Sequence, residues 1–410
     1  MNMMLNFGNI GSVEDQMLRF KALLSLIAVM TIAIMLTGTV QAQNVYRIGL
    51  NVPITGGGAD AGKREVIGAQ VAVNEINAKG GIGGAKLEMI VTDTGSNPHD
   101  AVNAVRKLAG DDKVLAIVGP HYSGVAESTF PLGNRIGIVQ VAVASSKPGV
   151  AAANRPFAFR NTLTEDKIAV AVVEAVKKRY NPKRIALIVD IKDAVARAIG
   201  TKVFPGVLKK ADLNVINAKK PVTFQTGDAQ FTAQVTKLKA LNPDAIGLGA
   251  LGPDALNIIT EARRQGMKQP FFGTAPLIEG NIPEKGGSAV VGTIAGSIWS
   301  TQLNDSRSRA FIKSYKELAK TLHPGKFTAN PDYYPVNSYD AVYMIVDAIK
   351  AKHIKPGMEN LATKRIAIKD HFSDMKSFNG IASDGFNKVG DGKKNVHVFE
   401  IKDKAWKLIK

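Results

Sequence analysis

Short apolar runs alternate along this chain with longer stretches in which apolar residues return every three or four positions. From residue 45 onward the pattern predicts a strand at 46–52, a Gly-rich loop at 55–62 and a helix at 64–78. That helix carries Val66, Ala69, Val73 and Ile76 on one stripe and is stopped by Gly80 and Gly81. A strand at 86–92 and a helix at 101–109 follow. The rhythm resumes after Thr164, with helices at 164–180, 196–210, 230–241 and 253–266 interleaved with strands at 184–189, 213–217, 245–248 and 270–273. Helices at 306–322 and 338–352 then precede a hairpin-like stretch ending in 396–401. Repeated units of this kind predict an α/β fold with parallel sheets flanked by helices. No Pro- or Ser-rich linker separates two independent domains, so the lobes are expected to be interleaved by the chain.

The most informative segment is 114–149. Apolar runs at 114–118 and 139–143 have the length and branching of buried parallel strands. Each ends in small hydroxyl residues, Ser123 after the first and Ser145 and Ser146 after the second. Ligands of parallel α/β sheets bind outside the carboxyl ends of the strands, where helix N-termini point free N–H groups. Two serine turns at one sheet edge therefore predict a docking site for a small anionic group, with Ser123 as a helix N-cap.

The first residues carry a different signal. Arg19 and Lys21 precede an apolar run at 22–36, and Val40-Gln41-Ala42 supplies small residues for cleavage after Ala42. Residues 1–42 are expected to be an export signal, with Met17 open as the true start. The alternative, a membrane anchor, needs about 20 apolar residues, more than the run offers. There is no cysteine, which excludes thiol catalysis, zinc ribbons and a lipid-modified cysteine. The net charge of +18 is spread from Lys63 to Lys410 rather than gathered with aromatics, which fits a solvated surface, or one that draws in anionic ligands, rather than a nucleic-acid interface.

Enzyme constellations are missing. The six histidines share no metal-ligand spacing, no phosphate loop is present, and Gly56-Gly57-Gly58 lacks the order of a dinucleotide fingerprint. His121 and Ser123 lie two apart, but no nucleophile elbow surrounds Ser123. Neither an enzyme nor a cofactor is expected.

Several segments together carry a family resemblance. They are Ile48-Gly49; Pro53-Ile54-Thr55-Gly56; Gly68-Ala69; the run 72–82 with its Asn77-Ala78-Lys79-Gly80-Gly81-Ile82; Val118-Gly119; and Ser123-Gly124. Gly137-Ile138, Ala144-Ser145-Ser146, Phe159-Arg160 and Tyr339-Asp340-Ala341-Val342 complete the set. The chain from Tyr46 to about Trp406 resembles the periplasmic ligand-binding proteins of branched-chain amino-acid ABC transporters, the Leu/Ile/Val-binding type. The resemblance implies a type I periplasmic binding protein: two α/β lobes, each with a mostly parallel sheet, joined by three hinge crossovers. It implies an N-terminal lobe of 45–163 plus 299–395 and a C-terminal lobe of 164–298 plus 396–410. The implied partners are a small-molecule carboxylate and the permease subunits of an importer, with the receptor a monomer in the periplasm. A chemosensory receptor docking on a sensor protein would look alike.

Carried over residue by residue, the resemblance assigns Ser123 to the ligand carboxylate, Ala144 to a backbone contact, and Ser146 to a position usually held by threonine. Tyr122 and Ser145 join them as ligand-binding residues. Ala275 stands where amino-acid binders place an acid for the ammonium, and Ala61, Ala194 and Leu251 stand where they have tyrosines. A buried ammonium without a carboxylate partner carries an uncompensated desolvation cost. The expected ligand is thus an aromatic or other hydrophobic carboxylic acid. Glu279, four residues past Ala275, leaves an aliphatic amino acid open if its loop bulges inward.

Overall fold

A computed structural model describes Met17, Lys21 and residues 45–278, 281–303, 305–327 and 331–409. The expected export signal falls almost wholly outside these residues, and Glu279 lies outside them. Among them no helix is long and apolar enough to cross a membrane.

The chain builds two sheets. The first contains β1 (Val45–Val52), β2 (Lys86–Asp93), β3 (Ala116–Val118), β4 (Val139–Ala142) and β5 (Ala158–Arg160), ordered β2-β1-β3-β4-β5 and parallel throughout. The second is built on β6 (Arg184–Asp190), β7 (Asn214–Val215), β8 (Val222–Phe224), β9 (Ala245–Gly249), β10 (Phe271–Gly273) and β11 (Ile294–Ser297). These six are parallel, and the antiparallel hairpin β12 (His397–Lys402) and β13 (Ala405–Leu408) closes one edge. Strands β3 and β4 are buried over their whole length, and the one polar residue in them, Gln140 of β4, donates its side-chain amide to the Thr129 carbonyl.

The chain passes from the first sheet to the second after β5, returns after β11, and crosses again before β12. Helices α1 (Ala59–Ala78), α2 (Pro98–Gly110) and α3 (Ser123–Ile136) connect strands of the first sheet. Helices α4 (Glu165–Tyr180), α5 (Ala194–Ala198), α6 (Phe204–Lys210), α7 (Thr232–Ala240), α8 (Gly252–Arg264) and α9 (Ile282–Gly286) serve the second. Helices α10 (Ser306–Leu322) and α11 (Tyr333–Ala351) pack on α1, and α12 (Leu361–Asp374) packs on α11.

Three elements depart from the predicted ones. The helix predicted at 196–210 is interrupted by a π turn over Ile199–Val203, where the Phe204 N–H reaches back to the Ile199 carbonyl. Pro205 has no N–H to continue an α ladder through that turn. Helix α11 starts at Tyr333 rather than 338, because Asp332 accepts from the Tyr334 N–H and Pro335 falls in the first turn, where a missing N–H costs nothing. Helix α1 begins at Ala59, inside the segment read as loop.

Each sheet has its own apolar core, the first including Ile48, Leu50, Val118, Val141 and Phe159, the second Ile188, Ile246, Leu248 and Ile258. A further cluster runs between the lobes, joining Ala61, Ile67 and Tyr334 to Leu187, Phe272 and Ala275. Each fully buried Val, Leu, Ile or Phe contributes about 1.5–3 kcal/mol of burial. The interlobe cluster therefore holds the two sheets' carboxyl edges against one another.

Candidate functional site

Every position singled out in the sequence lies just past the carboxyl end of a strand. Ala61 follows β1, Tyr122 and Ser123 follow β3, Ala144, Ser145 and Ser146 follow β4, Ala194 follows β6, Leu251 follows β9 and Ala275 follows β10. The edges of the two sheets face each other. A Cβ placed on Gly124, in the first turn of α3, would lie 3.6 Å from the Ala194 Cβ at the start of α5. Ala61, Ala275 and the half-buried Ala144 and Leu251 belong to the interlobe cluster with Trp299, Tyr333 and Tyr334.

The turn into α3 depends on Gly119, whose φ of +113° is open to glycine, and whose missing Cβ would strike the Asn51 carbonyl. Tyr122, not Ser123, occupies the N-cap position, and its side chain makes no capping bond. Ser123 is the first helical residue. Its hydroxyl is turned away from the helix to accept from Ser145 Oγ at 3.2 Å and from the Lys147 N–H at 3.2 Å. The serine turn thus folds back on the helix start, and Ser123, Ser145 and Ser146 are each no more than 3 % exposed.

Arg160, at the end of β5, braces this turn. Its guanidinium donates to the carbonyls of Ser145 (3.0 Å) and Lys147 (2.6 Å) and to Asp391 Oδ1 at 2.6 Å. The Asn337 side-chain amide holds the Val143 carbonyl at 2.6 Å. The end of β5 and helix α11 are therefore stitched to the serine turn.

Two acidic groups that the sequence reading passed over are built into the same place. Glu165 opens α4, and its N–H donates to the Ser146 carbonyl at 3.1 Å. Its side chain is fully buried, and neither carboxylate oxygen has a hydrogen-bond partner. Burial pushes its pKa up to about 7, while the nearby Ser146 and Thr274 hydroxyls, the Ala275 N–H and the Arg160 charge pull the other way. Those donors come close without reaching hydrogen-bond geometry. The acid stands beside Ala275, where the sequence shows none. The second group is Glu65, buried on α1, whose Oε1 lies 2.6 Å from His121 Nδ1. Burial raises the Glu65 pKa and the His121 contact opposes it. The His121 ring meets Tyr122 and Tyr334 edge-on at 4.6 and 5.0 Å. Across the cleft Asp193 caps α5 by accepting from the Val195 and Ala196 N–H groups.

Chemically, the site offers neutral hydroxyl and N–H donors at one end and apolar and aromatic walls around it. His121 turns its Nδ1 to Glu65, while Ser123 Oγ accepts from Ser145 Oγ and the Lys147 N–H. Among the described residues no group of three or more His, Asp or Glu is placed to hold a metal. The open recess at the cleft mouth is lined by Asp60, Ala61, Arg64 and Tyr334 from one lobe and Pro253 and Lys285 from the other. The serines lie behind it, closed from solvent.

Two α/β lobes meeting edge to edge over a buried polar turn define a two-lobed solute-binding protein. The chain belongs to the periplasmic binding protein family, whose sequence profile matches residues 45–405. A Leu/Ile/Val-binding protein homolog 2 of Brucella abortus is 25% identical over 314 residues, covering 76% of this chain and 80% of the relative. Among solved structures, the leucine-binding protein LivK of Thermotoga maritima superposes with a TM-score of 0.77 at 24% identity, covering 89% of this chain and 98% of that one. A solute-binding protein of an R. palustris ABC transporter, in complex with benzoate, superposes with a TM-score of 0.75 at 20% identity, covering 89% of this chain and 95% of that one. The protein is accordingly a periplasmic binding protein and not an enzyme, and its family works in the periplasm.

Proposed function

We propose that the protein captures a small carboxylate with a bulky apolar body, such as an aromatic or other hydrophobic carboxylic acid, and delivers it to an ABC permease. The observation that carries this reading is the buried serine turn, where Ser123, Ser145 and Ser146 gather neutral donors at the interlobe edge. Ala61, Ala194, Leu251 and Ala275 leave the rest of the site small and apolar. The lobes, 45–163 plus 299–395 and 164–298 plus 396–410, close as rigid bodies around the ligand of a monomeric receptor. Closure is stabilised only as far as the ligand binds the closed state more tightly. The benzoate complex on the same fold is consistent with this ligand class.

Glu165 favours a second reading. Its buried carboxyl group beside Ala275 could meet the ammonium of an α-amino acid, the ligand class in the names of the Brucella relatives. A thermal-shift screen separates the two, using protein unfolded and refolded to strip bound ligand. A ligand at 100 times its Kd stabilises by about 2.7 kcal/mol. Shifts with ammonium-free acids alone support the first reading; shifts with leucine, isoleucine or valine alone overturn it.

A further inference from the structure

The carboxylate reading leaves the chemistry of Glu165 unused. It is fully buried, both its oxygens lack partners, and its own backbone N–H is tied to the Ser146 carbonyl. A ligand carboxylate held on Ser123 and Ser146 would sit within a side chain's length of it. Two carboxylates sharing one dry space cannot both be ionised, so one of them keeps a proton. We propose that Glu165 is a further ligand-reading residue that is protonated in the complex and donates its O–H to the bound acid, so that capture takes up a proton. The proton comes from solvent and ends on the Glu165 carboxyl; no other bond changes. This inference rests on the carboxylate reading above.

The surroundings agree. Among the groups acting on Glu165, Arg160 is the charged one, and it is already engaged by Asp391 and two carbonyls. On α4 itself, Asp166 and Lys167 point to solvent. Strands β10 and β11, packed against α4, carry no titratable side chain. On β12, Glu400 pairs with Arg179 and Lys402 at the far end of α4, and His397 is half-buried at the strand start. The lysines of the π turn and α6 (Lys202, Lys209 and Lys210) are exposed. No cation is therefore poised to ionise Glu165, and the helix N-terminus, which favours the charged form, is outweighed by burial.

The test is calorimetric titration of the refolded protein with benzoate and phenylacetate, and with leucine as the contrast, between pH 5.5 and 8.5. Repeating each titration in two buffers of different ionisation enthalpy counts protons. The expected result is acid binding that is flat below about pH 7 and weakens toward tenfold per pH unit above it, with uptake approaching one proton at pH 8. Glu165→Gln loses the pH dependence and the proton uptake. Acid binding without proton uptake overturns the inference and leaves the carboxylate reading standing. Leucine binding with proton release, and no acid binding, overturns both. The wild-type proton count decides the matter even if the variant folds poorly.

Discussion

Arg160→Met removes the brace of the serine turn while keeping most of the side-chain bulk. Arg160 is fully buried, and the change abolishes the 2.6 Å contact to Asp391 and the bonds to the Ser145 and Lys147 carbonyls. Asp391 is left without its cation in a site where its side chain is 9% exposed. Breaking one side of a buried ion pair typically costs about 3–5 kcal/mol, most of it the stranded charge. For a unit of roughly 200 residues each kcal/mol moves the melting temperature by about 2–4 °C, so the variant should melt near 10 °C lower. Calorimetric melting of the ligand-free protein reads this directly. The double variant Arg160→Met/Asp391→Leu should recover a substantial part of the loss, because it removes the stranded carboxylate. A single variant within about 1 kcal/mol of wild type, or a double variant no more stable than the single, would refute the reasoning.

Other expectations are read from the same geometry. Ser123→Ala and Ser146→Ala should each weaken acid binding by about 1–3 kcal/mol in titration calorimetry, the worth of a hydrogen bond to a charged group. Unchanged affinity in both removes the serine turn from the site. Glu165 carries a folded-state pKa of about 7, raised from 4.5, so the stability it confers is full below pH 4.5 and is lost as pH rises through 7. Glu165→Gln should therefore melt like wild type at pH 4.5 and be more stable at pH 8 by about 2–3 kcal/mol; equal melting at both values contradicts the burial argument. Gly119→Ala, forced into the left-handed region against the Asn51 carbonyl, should cost about 2 kcal/mol or more in denaturant unfolding.

Much of the architecture is legible in the sequence because the buried strands are short unbroken apolar runs and the helices keep a clear stripe. Elements with neither signal escaped: β5 is three residues long, β11 is Ile-Ala-Gly-Ser, and α12 mixes charges around its whole circumference. The serine turns were readable because small hydroxyl residues after apolar runs have a stereochemical meaning. Glu165 was not. As the first residue of a helix it reads as an ordinary N-terminal acid on an exposed turn, and it is buried by the approach of Thr274 and Ala275 from beyond β10 and of Ser146 from the serine turn. The pairing of Glu65 with His121 spans 56 residues and has no local signature. Long-range burial, rather than residue type, decides which polar groups enter this cleft.

The central claim concerns where the ligand's acid group rests, and a crystal structure of the refolded protein with its best-binding hydrophobic acid tests it most directly. The account predicts a carboxylate oxygen within hydrogen-bond distance of Ser123 Oγ and the Ser146 hydroxyl, with the apolar body lying toward Ala61, Ala194 and Leu251. A ligand lodged at the Arg64-lined rim, or bound in reverse with its apolar end against the serines, would contradict it.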